Sequence, residues 1–262
     1  MTPALMAQER ARSTFAHERA LIGDVKNWLT RAFEAAARLI EKGQDAKAVR
    51  VPAGMEGDLA AYVVARSVAI GQIVEAQTQR QLGQLAAKRA DESVTAYLRR
   101  YSVRRVTGIR KTTAKKIRAV ITRGHAAGLS AEEIGAEMRK VTRSVYVQRR
   151  AEVIARTEIH FAAERAAFLT AKRSGLRTMK VWASMEDQRV RPAHAAANNQ
   201  VRPLDEPFLV GGEELMHPGD PNGSPENIIN CRCVCVFTLA PAALGLPRQW
   251  RPSRRPAMAE AV

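Results

Sequence analysis

Three cysteines, Cys231, Cys233 and Cys235, close a stretch running from Trp182 to Cys233 that also holds Asp187, Arg191, His194 and His217. Thiolates and imidazoles are zinc ligands, and four such donors complete a tetrahedron. Cys231 and Cys233, with His194 and His217, supply that set for a structural zinc. Asp187 is then placed to orient His194 from behind. A C-x-C pair is less specific than two C-x-x-C knuckles, so buried free thiols or a local redox pair fit the same residues. A third chemistry uses Asp187, His194 and Cys231 as orienter, base and nucleophile of a hydrolase. No nucleophile elbow, phosphate-cradling glycine loop or H-E-x-x-H motif accompanies it. Cysteines gathered at one point do not make a disulfide framework, which suits a reducing compartment.

These residues need elements to hold them. Thr178, Met179, Val181 and Trp182 alternate as a strand does, and Glu186-Asp187-Gln188 is the turn leaving it. Pro192 opens a short helix that carries His194. Val201 to Leu209 is extended or irregular, with Phe208 and Leu209 as anchors, and Gly211-Gly212 marks a sharp turn. The loop from His217 to Pro225 is rigid and polar, with no core of its own. Asn227 and Asn230 are the residues expected to tie it down through side-chain to backbone bonds. Cys231 to Phe237 reads as a strand with the three cysteines on one face.

Upstream, nearly everything reads as helix. Phe15, Leu21, Val25, Trp28, Leu29, Phe33 and Leu39 mark an amphipathic helix over residues 10–40, with Trp28 as a packing anchor. A loop over 43–56 leads to a second helix over 58–88. Ten positive residues and no negative one lie between Arg99 and Arg123: Arg99, Arg100, Arg104, Arg105, Arg110, Lys111, Lys115, Lys116, Arg118 and Arg123. Such density suits phosphate contact without base reading, or a solvated face, or a face pairing with acidic neighbours. Gly108 is compatible with a turn that splits this segment, leaving a helix over 112–126. Ser130 with Glu133 forms a capping box that starts the next helix. Helix, glycine turn and capped helix share the spacing of a helix-turn-helix. A further helix spans 146–172, in which Ile154, Phe161 and Phe168 fall seven apart. Arg156 and Glu158 stand too close to share a face; one of them is expected to reach the C-terminal unit in a buried Arg–carboxylate contact.

The whole chain sets bounds on these readings. Its 262 residues suffice for one large domain or two ordinary ones. Only 5% are aromatic against 46% hydrophobic, so the core should be thin and spread along alanine-rich helices. A net charge of +16 favours a polyanionic partner, most plainly DNA. No secretory leader and no 18-residue apolar run is evident, so no membrane partner is expected. The expectation is an α+β protein. A mainly helical connector occupies 1–127, a small α+β unit with a few strands and long loops occupies 128–240, and a flexible Pro/Arg-rich tail with Trp250 occupies 241–262.

The segments ARTEIHFAAERA, then W-x-x-x-x-D-x-R-V-R-x-x-H, then HPGDPNGSPENIINCRC resemble the phage head morphogenesis family, the Mu F protein and related minor head proteins of tailed phages. The likeness covers roughly 128–238 and marks Arg156, Glu158, Trp182, Asp187, Arg191, His194, Pro218, Gly219, Asp220, Asn230, Cys231, Arg232 and Cys233. It implies mainly structural roles for them. It also implies a non-enzymatic minor capsid protein in few copies, associated with the portal and with capsid or scaffold proteins in prohead assembly. Some relatives are linked to packaging or ejection of double-stranded DNA. The implied location is the head interior or portal region, and the host cytoplasm during assembly. Some relatives carry toxin domains after the shared region, and none is expected in the residues left after Cys235. The rivals are a nucleic-acid-binding protein acting outside any capsid and a Cys/His hydrolase.

Overall fold

A computed structural model describes residues 3–45, 49–83 and 94–240. The tail over 241–262, with Trp250, lies outside the described residues, as does the continuation of the second helix to residue 88. Five long helices come first: α1 (Pro3–Glu41), α2 (Ala53–Gln81), α3 (Val94–Ala126), α4 (Ala131–Arg143) and α5 (Val145–Arg173). A small unit follows with β1 (Thr178–Ala183), α6 (Pro192–Ala196), β2 (Val201–Pro203), β3 (Phe208–Val210), β4 (Glu213–Leu215), α7 (Pro225–Ile228) and β5 (Val234–Leu239). The class is α+β, as the sequence implies.

The helices form where apolar residues recur at three-to-four spacing, which puts them on one stripe. In α1 that stripe is Leu21, Val25, Trp28, Leu29, Ala32, Phe33, Ala36 and Ile40, all buried. The Trp28 indole N–H donates to the Met55 carbonyl at the head of α2. Phe15, expected in the stripe, is instead 59% exposed, with the Arg19 guanidinium over its ring. The segment Gly57–Gln81 of α2 is long and apolar enough to cross a membrane by length and composition, although Arg66 and Glu75 interrupt its apolar run. In the structure its Leu59, Val63, Ile70 and Val74 are buried in the bundle.

Helix α3 runs unbroken through Gly108, so the turn expected there is absent. Around Gly108 there is open space. A solvent-facing glycine weakens a helix by about 1 kcal/mol relative to alanine without ending it. The next boundary is as expected: the Ser130 side chain accepts from the Glu133 N–H while the Glu133 carboxylate accepts from the Ser130 N–H, starting α4. Ile134 and Met138 of α4 are buried, and α4 packs on α1. Helix α5 lies at the centre and packs against α1, α2, α3 and β5. One core runs from Leu21 to Phe237 and so crosses the position 127/128, which falls in the α3–α4 turn.

The small unit is built on an antiparallel sheet in the order β2-β1-β5, with Trp182 opposite Cys235 and Val181 opposite Val201. A separate hairpin pairs β3 with β4. Its two-residue turn is Gly211-Gly212, at φ 58° and 83°, which glycine adopts without steric cost. Strand β5 begins at Val234, not at Cys231. Cys231 and Cys233 therefore sit in its irregular lead-in, and only Cys235 is a strand residue.

Candidate functional site

The thiols and one imidazole converge. Pro192 opens α6 with its preset φ, and the following turn carries His194 inward, 1% exposed. There its Nδ1 lies 3.6 Å from Cys231 Sγ and 3.4 Å from Cys233 Sγ. The three donor atoms are within 4.8 Å of one another and all three residues are buried. The Cys231 S–H donates to the Cys233 sulfur, which raises the pKa of Cys231 and lowers that of Cys233. His194 Nε2 has no hydrogen-bond partner among the described residues. Trp182 stands edge-on to the His194 ring at 5.5 Å and to Phe208 at 5.4 Å, forming the wall behind it. An opening of about 10 Å³, bordered by Met185, Arg189, Arg191 and Arg232, leads to the three donors.

His217 does not join them, which corrects the expected fourth ligand. It is fully buried against Arg165 and Phe168 of α5, where its Nδ1 donates to the Pro218 carbonyl at 2.9 Å. Its Nε2 lies 3.4 Å from Arg165 Nη1, and its ring packs on Phe168 at 5.3 Å. Burial is the main cause that holds its pKa down to about 4. The histidine near the thiols that the sequence reading passed over is His160 of α5. Its Nε2 donates to the Cys233 carbonyl at 2.7 Å. Burial works to lower its pKa, but Cys231, Glu164 and that carbonyl outweigh it and lift it to about 9.

Asp187 does not orient His194 either. Its carboxylate takes both guanidinium nitrogens of Arg232, at 2.5 and 2.6 Å, and the Arg189 N–H at 3.0 Å. That pairing drops its pKa to about 2. The other resemblance-marked residues fasten loops. Arg191 donates to the Ile229 carbonyl, and Arg156 reaches from α5 to Asn230 Oδ1 at 2.8 Å. Asn230 itself sits at φ 58°, and its N–H donates to Thr157 Oγ1 at 3.0 Å. Asp220 closes the 217–225 loop by accepting from the Met216 and Asn222 N–H groups, at 2.7 and 3.0 Å. Asn227 adds a weaker bond to Val210 O at 3.3 Å. Pro218 and Gly219 are the buried residues at the start of this loop. Gly219 has φ 72°, and a side chain there would meet His160 Nδ1 at 3.0 Å.

Glu158 faces the other way from Arg156. It pairs with Arg105 of α3 at 2.5 Å, so Arg105 is no free cation for DNA, which corrects that expectation; its guanidinium also covers Phe161 at 4.9 Å. Two further buried groups were missed in the sequence. Glu164 is 0% exposed and accepts from Arg10 at 3.0 Å and from the Cys235 N–H at 2.6 Å. Lys180 is buried over Phe208 and Phe168 and donates to Met216 O at 2.7 Å, and desolvation brings its pKa down to about 8. Helical spacing of four places His160 and Glu164 on one face, a signal that was present.

The basic segment is the outer face of α3. Arg99, Arg100, Arg104, Lys111, Lys115, Arg118 and Arg123 are exposed, while Arg110 and Lys116 are half-buried. Lys116 lies 4.8 Å from the Tyr146 ring. Arg100, Arg104, Lys111, Lys115 and Arg118 fall within a sector of about 60° on the helix wheel, along roughly 27 Å of its length. The opposite face is the buried row Leu98, Ser102, Val106, Ile109, Thr113, Ile117 and Val120.

Residues 115–236 match the family model described as phage Mu protein F like protein, a little under half of the chain. The match begins inside α3, earlier than the resemblance read from the sequence. No curated protein and no solved structure matches this chain. The matched stretch contains both α5 and the C-terminal loops fastened to it, and over residues 115–236 the chain is similar to the phage Mu protein F like family.

Proposed function

We propose that this head morphogenesis protein is a non-enzymatic minor component of the prohead, held at the portal and inner capsid surface, with the outer face of α3 against double-stranded DNA. The observation that carries the DNA contact is the stripe Arg100, Arg104, Lys111, Lys115 and Arg118, exposed along one line while the reverse of the same helix is core. A line of fixed cations attracts phosphates without reading bases. The portal and capsid contact rests on the family, whose members act in head assembly.

Binding of duplex DNA by the full chain across a salt series tests the contact. Each neutralised phosphate contributes about 0.9 to the log–log slope, so the triple variant R104E/K111E/K115E should bind more weakly and lose roughly 3 from the slope. Equal affinity and slope reject the DNA contact. Cross-linking of assembled proheads tests the rest: cross-links to portal are expected. DNA binding by a protein that never enters a prohead would favour the rival that acts outside the capsid.

A further inference from the structure

We propose that His194, Cys231 and Cys233 bind one zinc ion, with a water as the fourth ligand, and that this ion locks α6 to the lead-in of β5.

The geometry carries the inference. A tetrahedral zinc with sulfur at about 2.3 Å and nitrogen at about 2.0 Å separates its sulfur and nitrogen donors by about 3.5 Å. The two separations in this structure are 3.6 and 3.4 Å, both from the same nitrogen, His194 Nδ1. The three donors lie within 4.8 Å of one another, as the corners of one coordination sphere must. The fourth corner is the opening beside them, with room for one water and no fourth protein donor among the described residues.

The chemistry of the donor set selects the ion. Two thiolates and a neutral imidazole are soft donors that suit zinc over magnesium or calcium. Two thiolates and a divalent cation sum to zero charge, which a buried site tolerates. The placement also answers a structural need. The unit after α5 has three strands of only three residues and long loops between its elements. Here the ion spans 37 and 39 residues of chain between its ligands, closing that whole length at one point.

The test uses the full chain, expressed with zinc and purified without chelators. Elemental analysis should find about one zinc per chain, and below about one-tenth in the double variant C231S/C233S. Cobalt(II) added to the metal-stripped wild-type chain should give thiolate-to-cobalt charge transfer in the near ultraviolet together with the visible bands of a tetrahedral ion. His194→Ala should weaken both. The cobalt spectrum needs no variant, so it decides the question even if the serine chain fails to fold. Wild-type protein free of zinc, cobalt without charge transfer, or full zinc retained by the double variant would each overturn the proposal.

Discussion

Helices α3 and α5 are close in length, 33 and 29 residues, and both carry many charged groups. They use those charges in opposite ways. Helix α3 buries one row and turns Arg100, Arg104, Lys111, Lys115 and Arg118 outward. Helix α5 is buried through most of its length, packed by α1, α2 and α3 and by β5. Its Glu158, His160 and Glu164 are buried, and each has a named partner inside the protein. The exposed row of α3 faces solvent, whereas Glu158, His160 and Glu164 of α5 face partners within the protein. Sequence composition counts both alike.

The comparison can be broken most sharply at Glu164. Glu164→Ala leaves Arg10 and the Cys235 N–H buried without their acceptor, so unfolding in denaturant should lose about 3–5 kcal/mol. A loss under 1 kcal/mol would mean that the pair is not buried as described. Gly219→Ala comes next. It forces a left-handed residue and a contact with His160, and should cost about 1–3 kcal/mol in the same measurement.

Neighbouring arginines on α3 sharpen the contrast within one helix. Arg105→Ala strands the buried Glu158 carboxylate and should cost roughly 1–3 kcal/mol. A pH series then probes His217. Its folded pKa is about 4 against an ordinary 6.5, so between those values the unfolded chain takes a proton that the folded chain refuses. Its contribution is therefore present above about pH 6.5 and is lost as pH falls toward 4. The denaturation midpoint should drop between pH 7 and 5, with a shallower drop in His217→Asn. The smallest effect is Arg104→Ala, which should stay within about 0.5 kcal/mol of wild type, because its side chain faces water.

Local signals were legible in the sequence because they act over a few residues. The Ser130–Glu133 capping box, Pro192 at the head of α6 and the Gly211-Gly212 turn all stand where their chemistry requires. His194, Cys231 and Cys233 also come together, since thiols and an imidazole between turn elements announce themselves. Gly108 misled because a glycine facing open space need not end a helix. His217 misled because residue type does not show which partner a ring nitrogen already has; the Pro218 carbonyl and Arg165 claim both of its nitrogens. Glu164, Lys180 and Arg105 were opaque for one reason. Glu164 and Arg105 each stand among other charged residues on one helix, Lys180 stands alone in β1, and in every case only tertiary packing decides which charge is closed in.

The Glu164 carboxylate touches Arg10 near the start of the chain and Cys235 near the end of the described residues. Two distant stretches of polypeptide thus share a single clasp. Replacing Arg10 should let amide hydrogens of β5 exchange faster, and so should removing Met6 and Ala7, which pack on Val234 and Val236. A partner that pulled α1 outward would transmit that pull to the opposite terminus without touching it.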